Sequence, residues 1–267
     1  MSEGILDKIL AERREQVAEQ MRTADLARLK DRALYARVNS APRRFHTELC
    51  RNGRTNIIAE IKRASPSKGI INPDVDVASL ARQYHDGGAC ALSVLTEEKH
   101  FRGSAADLLA ARAAVDLPIL RKDFVVDEFQ IYEAAAIGAD AILLITAALS
   151  EGEIAEFLDI AQNELGMDAI VEVHDKCEFE IAKKVGARII GVNNRNLKTF
   201  QVSLDVSRHL AGLDRPSGTL MIAESGISTR DEIEELRGIG FNGFLIGETL
   251  MRSHNPTAAL SELTRNI

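Results

Sequence analysis

The 267-residue chain lacks the patterns that mark secreted, membrane and disulfide-rich proteins. No apolar run approaches the ~18 residues that span a bilayer, and the charges spread through residues 1–20 exclude a signal-peptide core. The three widely spaced cysteines, Cys50, Cys90 and Cys177, form no C-x-x-C pair, which favours reduced side chains. These absences predict a cytoplasmic protein that makes no use of a membrane.

The composition also lacks what other partners and states require. The 40 acidic residues outnumber 33 basic ones, so the net charge of −7 offers no basic surface for nucleic acid. Hydrophobic residues make up 45% of the chain, a fraction typical of folded rather than disordered proteins. The length suits one large domain or two small ones.

Short β-branched apolar runs alternate with amphipathic helical stretches through most of the chain. These runs predict strands at 56–62, 90–95, 117–122, 140–145, 168–173, 188–193, 219–224 and 242–247. Such regular alternation predicts a parallel sheet with helical crossovers, and eight units predict a (β/α)8 barrel. The rival architecture is an open doubly wound sheet, but no predicted strand is followed by G-x-G-x-x-G.

Residues 1–50 lie outside this alternation. They are predicted to form an N-terminal helical extension, with the barrel over 51–267 and one domain overall. The apolar residues of the first predicted helix share one face: Ile5, Leu6, Ile9, Leu10, Val17 and Met21. We expect the extension to pack on the barrel as a cap, and the alternative is a lid over the barrel mouth.

Polar side chains end five of the predicted strands. In a barrel the active site lies at the carboxyl ends of the strands, and alternate strand residues point inward. By this parity the following side chains converge on the mouth: Glu60, Lys62, Lys122, Glu172, Asn193 and Glu224. An outward orientation would require matching one-residue slips in five strands. Opposite charges in a partly buried cavity supply an acid and a base, so the pattern predicts acid–base catalysis.

Glycine and serine after the last two strands predict a phosphate site. The chain reads AESGIS at 223–228 and LIGET at 245–249, positions whose loops bind phosphate in many barrels. Ser65 could add a hydroxyl, and Glu248 is expected to turn its charge away. No metal-binding or nucleophile motif is present, which predicts neither metal nor cofactor. His174 follows a strand with inward parity, and we expect it to make a loop hydrogen bond.

Several segments make the sequence similar to the indole-3-glycerol phosphate synthase family. They are the two phosphate loops together with IAEIKRASPSKG (58–69), LTEEKHFRGS (95–104), PILRKDF (118–124), VEVH (171–174) and GVNNRNL (191–197). The similarity covers essentially the whole chain in order. The segments at 58–69 and 118–124 are specific to the family, whereas the phosphate loops are shared by many barrels.

The resemblance implies ring closure of 1-(2-carboxyphenylamino)-1-deoxyribulose 5-phosphate to indole-3-glycerol phosphate, with loss of carbon dioxide and water, in tryptophan biosynthesis. Lys122 would protonate the substrate carbonyl, and Glu172 would carry the proton transfers of the dehydration. Lys62, positioned by Glu60, would bind the carboxylate or share the acid role. The division of labour between the two lysines stays open.

The same resemblance assigns the substrate-binding side chains. Asn193 and Glu224 would hold substrate hydroxyls and the charge network, and Arg195 would meet the carboxylate region. The apolar slot for the anthranilate ring would comprise Phe101, Phe124, Leu143, Leu197 and Ile246. The phosphate would bind Ser65, Ser225, Gly226 and Gly247.

Two alternatives remain open on the sequence alone. One is another phosphosugar barrel enzyme, such as a phosphoribosylanthranilate isomerase, and the other is a barrel that binds a phosphorylated metabolite without turnover. The set of Glu60, Lys62, Lys122 and Glu172 argues against both. The predicted partner is a small phosphosugar, with no nucleic acid and no membrane. A monomer or weak homo-oligomer is expected, and contact with other tryptophan-pathway enzymes is left open.

Overall fold

The computed structural model describes residues 4–38 and 40–265. The strands within them are β1 Ile57–Ile61, β2 Ala64–Ser65, β3 Gly69–Ile70, β4 Ala91–Leu95, β5 Ile119–Lys122, β6 Ala141–Ile145, β7 Asp168–Val173, β8 Ile189–Asn193, β9 Leu220–Glu224 and β10 Gly243–Ile246. Eight of them form a closed parallel barrel in the order β1-β10-β9-β8-β7-β6-β5-β4, and β4 pairs back with β1. β2 and β3 form a small antiparallel hairpin in the first loop. The predicted (β/α)8 barrel is confirmed.

Helices precede and connect the strands. They are α1 Ile5–Thr23, α2 Leu26–Val38, α3 Arg44–Leu49, α4 Val77–Asp86, α5 Ala105–Ala114, α6 Glu128–Ala136, α7 Glu151–Asp159, α8 Lys176–Lys184, α9 Asp205–Ala211, α10 Arg230–Gly238, α11 Glu248–Met251 and α12 Pro256–Thr264. Helix α7 continues as a π-helix, Ile160–Glu164. Helices α9, α11 and α12 were not predicted from the sequence. No helix in the described part of the chain is long and apolar enough to cross a membrane.

The barrel interior is filled by the residues that parity placed inward. Ile58, Leu120, Ile170, Ile189 and Ile222 are fully buried and belong to one apolar cluster. In β1, β5, β7 and β9 the polar residue predicted at the mouth follows two positions later, because successive side chains of a strand alternate between the two faces of the sheet. The predicted inward parity is therefore confirmed.

The third helix of the extension closes the amino-terminal end of the barrel. Phe45 and Leu49 of α3 are fully buried and join the interior cluster. The backbone N–H of His46 donates to Asp168 Oδ2 at 2.8 Å, where β7 begins, and Asn56 Nδ2 donates to the Leu49 carbonyl at 2.9 Å just before β1. The end of the barrel opposite the mouth therefore has an apolar floor.

Candidate active site

Three ionisable side chains from different strands meet at the mouth. Lys122 ends β5, Glu224 ends β9, and Glu172 lies one residue before the end of β7. Lys122 Nζ donates to Glu172 Oε2 at 2.8 Å and to Glu224 Oε2 at 2.7 Å. An ammonium group has three N–H donors, so one remains for a ligand after these two contacts.

These three groups differ in protonation. Burial disfavours the charge on Lys122, but Glu172 and Glu224 outweigh burial and raise the pKa of Lys122 above its usual value. Burial also opposes the charge on Glu172, yet Lys122 and His174 hold its pKa well below the usual range. Burial raises the pKa of Glu224 to about 7, because Lys122 offsets only part of that effect and Glu172 adds repulsion. The cluster thus combines an ammonium, a carboxylate and a carboxyl group that titrates near neutral pH.

Two glycines make room for carboxylates at the mouth. A Cβ at Gly191 would collide with Glu224 Oε1, and a Cβ at Gly247 would lie 3.0 Å from Glu60 Cδ. The buried Glu60 carboxylate accepts a short hydrogen bond from Lys62 Nζ. Glu224 Oε1 is buried and accepts no hydrogen bond from the described residues. Because a buried oxygen of this kind normally has a partner, it is suited to a substrate hydroxyl.

The last residue of β8 fixes the orientation of the Glu172 carboxylate. Asn193 Nδ2 donates to Glu172 Oε1 at 3.2 Å, while Asn193 Oδ1 accepts from the Arg195 backbone N–H at 3.0 Å. The Arg195 guanidinium donates to the Phe200 carbonyl at 3.3 Å and so lies along the following loop. The two contacts of the Asn193 amide hold it in one orientation.

Apolar side chains form the other side of the cavity, whose volume is about 530 Å³. The Phe101 and Phe124 rings lie with centroids 6.1 Å apart at an angle of 49°. The other apolar lining residues are Leu143, Leu197 and Ile246 of the predicted slot, together with Ile5, Leu6, Ile9, Leu95, Ile145, Phe200, Val202, Ile227 and Leu245. A planar ring beside the charged cluster fits these apolar walls.

The loop after β9 has a backbone conformation suited to an anion. Ser225 and Gly226 have positive φ angles of 65° and 79°. Asn194 Nδ2 donates to the Glu224 carbonyl at 3.1 Å and to the Ser225 carbonyl at 3.2 Å. The buried Asn194 amide occupies these carbonyl oxygens and so holds the loop in this conformation, in which successive backbone N–H groups can form an anion-binding concavity.

Two cations neutralise Glu248 beside this loop. Glu248 Oε1 lies 3.3 Å from Lys68 Nζ and 3.2 Å from Arg252 Nε, and all three residues line the cavity. The Glu248 carboxylate, which was expected to turn away, is thus neutralised by these two cations. Lys68 and Arg252 are thus two further cations in the lining of the cavity.

No cluster of three or more metal-ligating side chains occurs within residues 4–38 and 40–265. A family model described as indole-3-glycerol phosphate synthase matches residues 6–263. The chain belongs to the indole-3-glycerol phosphate synthase family.

Curated relatives agree with this family assignment, and a solved structure matches the fold. The indole-3-glycerol phosphate synthase of Laribacter hongkongensis is 50% identical over 262 residues, covering 97% of this chain and 98% of the relative. That of Carboxydothermus hydrogenoformans is 44% identical over 261 residues, covering 97% and 98%. Thiamine phosphate pyrophosphorylase from Pyrococcus furiosus has a TM-score of 0.59 at 19% identity, covering 82% of this chain and 95% of that one. The last likeness shows the fold alone.

The structure gathers around one cavity every residue that the sequence predicted for an indole-3-glycerol phosphate synthase site. These are Glu60, Lys62, Ser65, Phe101, Lys122, Phe124, Leu143, Glu172, Asn193, Arg195, Leu197, Glu224, Ser225, Gly226, Ile246 and Gly247. Their individual roles stay predictions. His174 lies outside the lining, with Nδ1 3.0 Å from Glu178 Oε2, which is a contact of the predicted loop type.

A buried ion-pair network behind the lysine was not predicted. Arg13 of α1 is 4% exposed, and its Nη2 donates to Asp123 Oδ2 at 2.7 Å. The same oxygen accepts from Thr96 Oγ1 at 2.7 Å and from Arg121 Nη2 at 3.1 Å. Asp123 directly follows Lys122, so the first helix of this indole-3-glycerol phosphate synthase family member is fastened to the end of the strand that carries Lys122.

Proposed function

We propose that this chain converts 1-(2-carboxyphenylamino)-1-deoxyribulose 5-phosphate to indole-3-glycerol phosphate, with Lys122 as the general acid. The observation that carries the proposal is the ammonium group between Glu172 and Glu224 at the mouth, beside an apolar slot and a phosphate loop. The family is one of carboxy-lyases acting in tryptophan biosynthesis, and its substrate has one part for each of these three regions.

The substrate orientation follows from the chemistry of the walls. The phosphate would lie at Ser225, Gly226 and Gly247, where backbone N–H groups and a hydroxyl can donate to it. The anthranilate ring would lie against the side chains of Phe101 and Phe124, at the apolar end. The ribulose carbonyl would then lie between the two ends, next to the Lys122 ammonium.

Lys122 suits the acid role in the ring closure. As the aromatic carbon bonds to the carbonyl carbon, negative charge grows on the carbonyl oxygen and the third Lys122 N–H would stabilise and then protonate it. Loss of carbon dioxide returns its bonding electrons to the ring system, so that step needs no added electron acceptor. Lys62, paired with Glu60, would hold the substrate carboxylate until it leaves.

Glu172 and Glu224 suit the dehydration. The new hydroxyl must leave as water while a proton is removed from the neighbouring ring CH2 group, because the indole product keeps its N–H, and this requires one donor and one acceptor. Glu172 is ionised and would accept a proton. Glu224, whose pKa is about 7, would exchange a proton near neutral pH or hold a hydroxyl with its unpartnered oxygen.

We also infer that α1 is a lid over the slot. Ile5, Leu6 and Ile9 line the cavity, and Glu12 Oε2 lies 2.7 Å from His100 Nε2 in the loop after β4. The extension thus closes one side of the cavity as well as packing on the barrel.

Formation of the indole ultraviolet absorbance tests the function. The purified chain mixed with the carboxyphenylamino-ribulose phosphate should give this signal without added metal or cofactor. A flat absorbance trace with substrate bound would favour the non-catalytic barrel, and isomerisation of phosphoribosylanthranilate instead would favour the other enzyme.

Gly247→Ala is expected to reduce kcat/KM by about 10²-fold, the usual cost of misplacing reacting groups by about 1 Å. The backbone at Gly247 has φ −119°, which any residue adopts, so the damage comes from the Cβ pressing on the Glu60 side chain. Steady-state kinetics measures the effect. The matched control is Gly152→Ala, where a Cβ meets nothing within 4 Å, and kcat/KM should stay at the wild-type value. Equal kinetics for both variants would contradict the proposed crowding.

A further inference from the structure

An imidazole lies between two carboxylates just behind the cavity. His174 follows β7, and its side chain is 13% exposed. Its Nε2 atom lies 3.2 Å from Glu172 Oε1, and its Nδ1 atom lies 3.0 Å from Glu178 Oε2. The ring therefore contacts the proposed base from the side away from Lys122, which bonds to the other oxygen of the same carboxylate.

The second carboxylate is itself held in place. Glu178 Oε2 accepts from Thr146 Oγ1 at 2.8 Å and from the backbone N–H of His174 at 2.7 Å. The Glu178 N–H donates to Asp175 Oδ1, which caps α8. Thr146 Oγ1 also lies 2.8 Å from the Glu172 carbonyl oxygen. Contacts from the loop after β6 and from the first turn of α8 thus fix the imidazole.

The surroundings of His174 keep it charged. Burial opposes the charge on the ring, but Glu172 and Glu178 outweigh burial and raise the pKa of His174 to about 10. Among the described residues, the charged groups facing the ring are Glu172 on its own strand and Glu178 on α8. The β6 side contributes the neutral Thr146, and Lys122 acts through Glu172. At neutral pH both ring nitrogens therefore carry a proton, and the Nε2 contact with Glu172 is an ion pair rather than an aligned hydrogen bond.

We propose that His174 is a positioning residue, which holds the Glu172 carboxylate against the reacting substrate through an ion pair made outside the cavity. The inference rests on the proposed role of Glu172 in proton transfer. His174 touches no part of the cavity, so it acts through Glu172 rather than on substrate. Its charge also keeps that carboxylate ionised, and an ionised carboxylate is the form that accepts a proton.

Two amide substitutions separate the two contacts of the ring. The Gln amide nitrogen in His174→Gln reaches the place of Nε2 and restores a donor toward Glu172. The Asn amide nitrogen in His174→Asn takes the place of Nδ1 and restores a donor toward Glu178 alone. Glu172→Gln completes the set, because it removes the charge that the ring is proposed to hold.

The expected results follow from the geometry. His174→Asn should lower kcat about tenfold, a fraction of the ~10²–10⁴-fold that acid–base groups provide, and change KM by less than about twofold. The acid limb of its kcat–pH profile should move to higher pH, because loss of the imidazolium raises the pKa of Glu172. His174→Gln restores a donor but not the charge, so it should recover most of kcat at pH values above the acid limb, while that limb stays at the higher pH. Glu172→Gln should be nearly inactive.

Two other results would overturn the inference. In the first, Glu172→Gln is inactive while both His174 variants match wild type, or both lose the same fraction of kcat and the acid limb does not move. His174 then has no more than a structural role. In the second, Glu172→Gln turns over like wild type. The proposed role of Glu172 then fails, and the inference fails with it.

A histidine NMR titration of intact wild-type protein and of Glu172→Gln adds a readout that does not depend on the His174 variants folding. The His174 pKa should drop in Glu172→Gln, and an unchanged value would contradict the ion pair.

Discussion

Lys122→Met is expected to lower kcat by about 10³-fold or more while the chain still binds indole-3-glycerol phosphate with nearly wild-type affinity. Methionine has a similar length but no proton to donate, so the carbonyl oxygen would gather charge without an acid. The loop and the apolar slot that are proposed to bind the phosphate and the ring remain intact. Stopped-flow or steady-state indole absorbance measures the turnover, and equilibrium fluorescence measures product binding.

The matched control is Lys184→Met. Lys184 lies on the exposed face of α8, where it pairs with Glu151 on α7. Its loss should leave turnover unchanged. Turnover of Lys122→Met within about tenfold of wild type would transfer the acid role to Lys62, the other lysine at the mouth.

Arg13→Met is expected to lower the free energy of unfolding by about 2–3 kcal/mol and to raise KM about tenfold. Removal of one partner from a buried ion pair costs roughly 3–5 kcal/mol, and the cost here lies at or below the lower end because Asp123 retains Arg121 and Thr96. The rise in KM follows because α1 carries part of the apolar slot and is fastened near the lysine by this pair. Urea denaturation and steady-state kinetics give the two numbers.

Arg22→Met on the same helix is the control. Its guanidinium pairs with Glu19 at the exposed surface, and such pairs contribute little to stability. Both the unfolding midpoint and KM should therefore stay at the wild-type values. If Arg13→Met shows a stability loss with an unchanged KM, α1 packs on the barrel without acting as a lid.

The architecture and the inward-facing residues could be predicted because both follow from local periodicity. A period of two within each strand puts Ile170 and Glu172 on one face, and the glycines at helix ends mark where each unit closes. The strand boundaries shifted slightly: 117–122 became Ile119–Lys122, and 242–247 became Gly243–Ile246. A change in where a strand begins or ends does not change which of its residues point inward, so the predicted site residues were unaffected.

The buried network could not be predicted because its partners are distant in sequence. Arg13 stands in a charged stretch of α1 and pairs with Asp123, 110 residues away. By strand parity Asp123 would face away from the barrel interior, so the predicted site did not include it, although it lies in the cavity lining. Nothing in the local pattern distinguishes Arg13 from its exposed neighbour Arg14, and burial of the former depends on how the whole helix docks.

His174 and the late helices show two other limits of local reasoning. The parity of His174 was visible in the sequence, but the partner across its ring, Glu178, comes from the first turn of the next helix. Helix α12 had a usable signal, since Asn255 caps it and Pro256 occupies its first turn. Helix α9 has no side-chain cap and α11 spans four residues, so neither offered a comparable signal.

The floor formed by Phe45 and Leu49 has a practical consequence for anyone who shortens this chain. Truncation near residue 45 would disrupt the apolar floor of the barrel and would also remove α1, the proposed lid. Its effect on substrate affinity would therefore be mixed with a loss of core stability. Truncation after residue 24 would remove α1 and leave Phe45 and Leu49 in place. In the described part of the extension, α1 contacts the barrel at the mouth and α3 contacts it at the opposite end. Only the α1 contact can be tested by truncation.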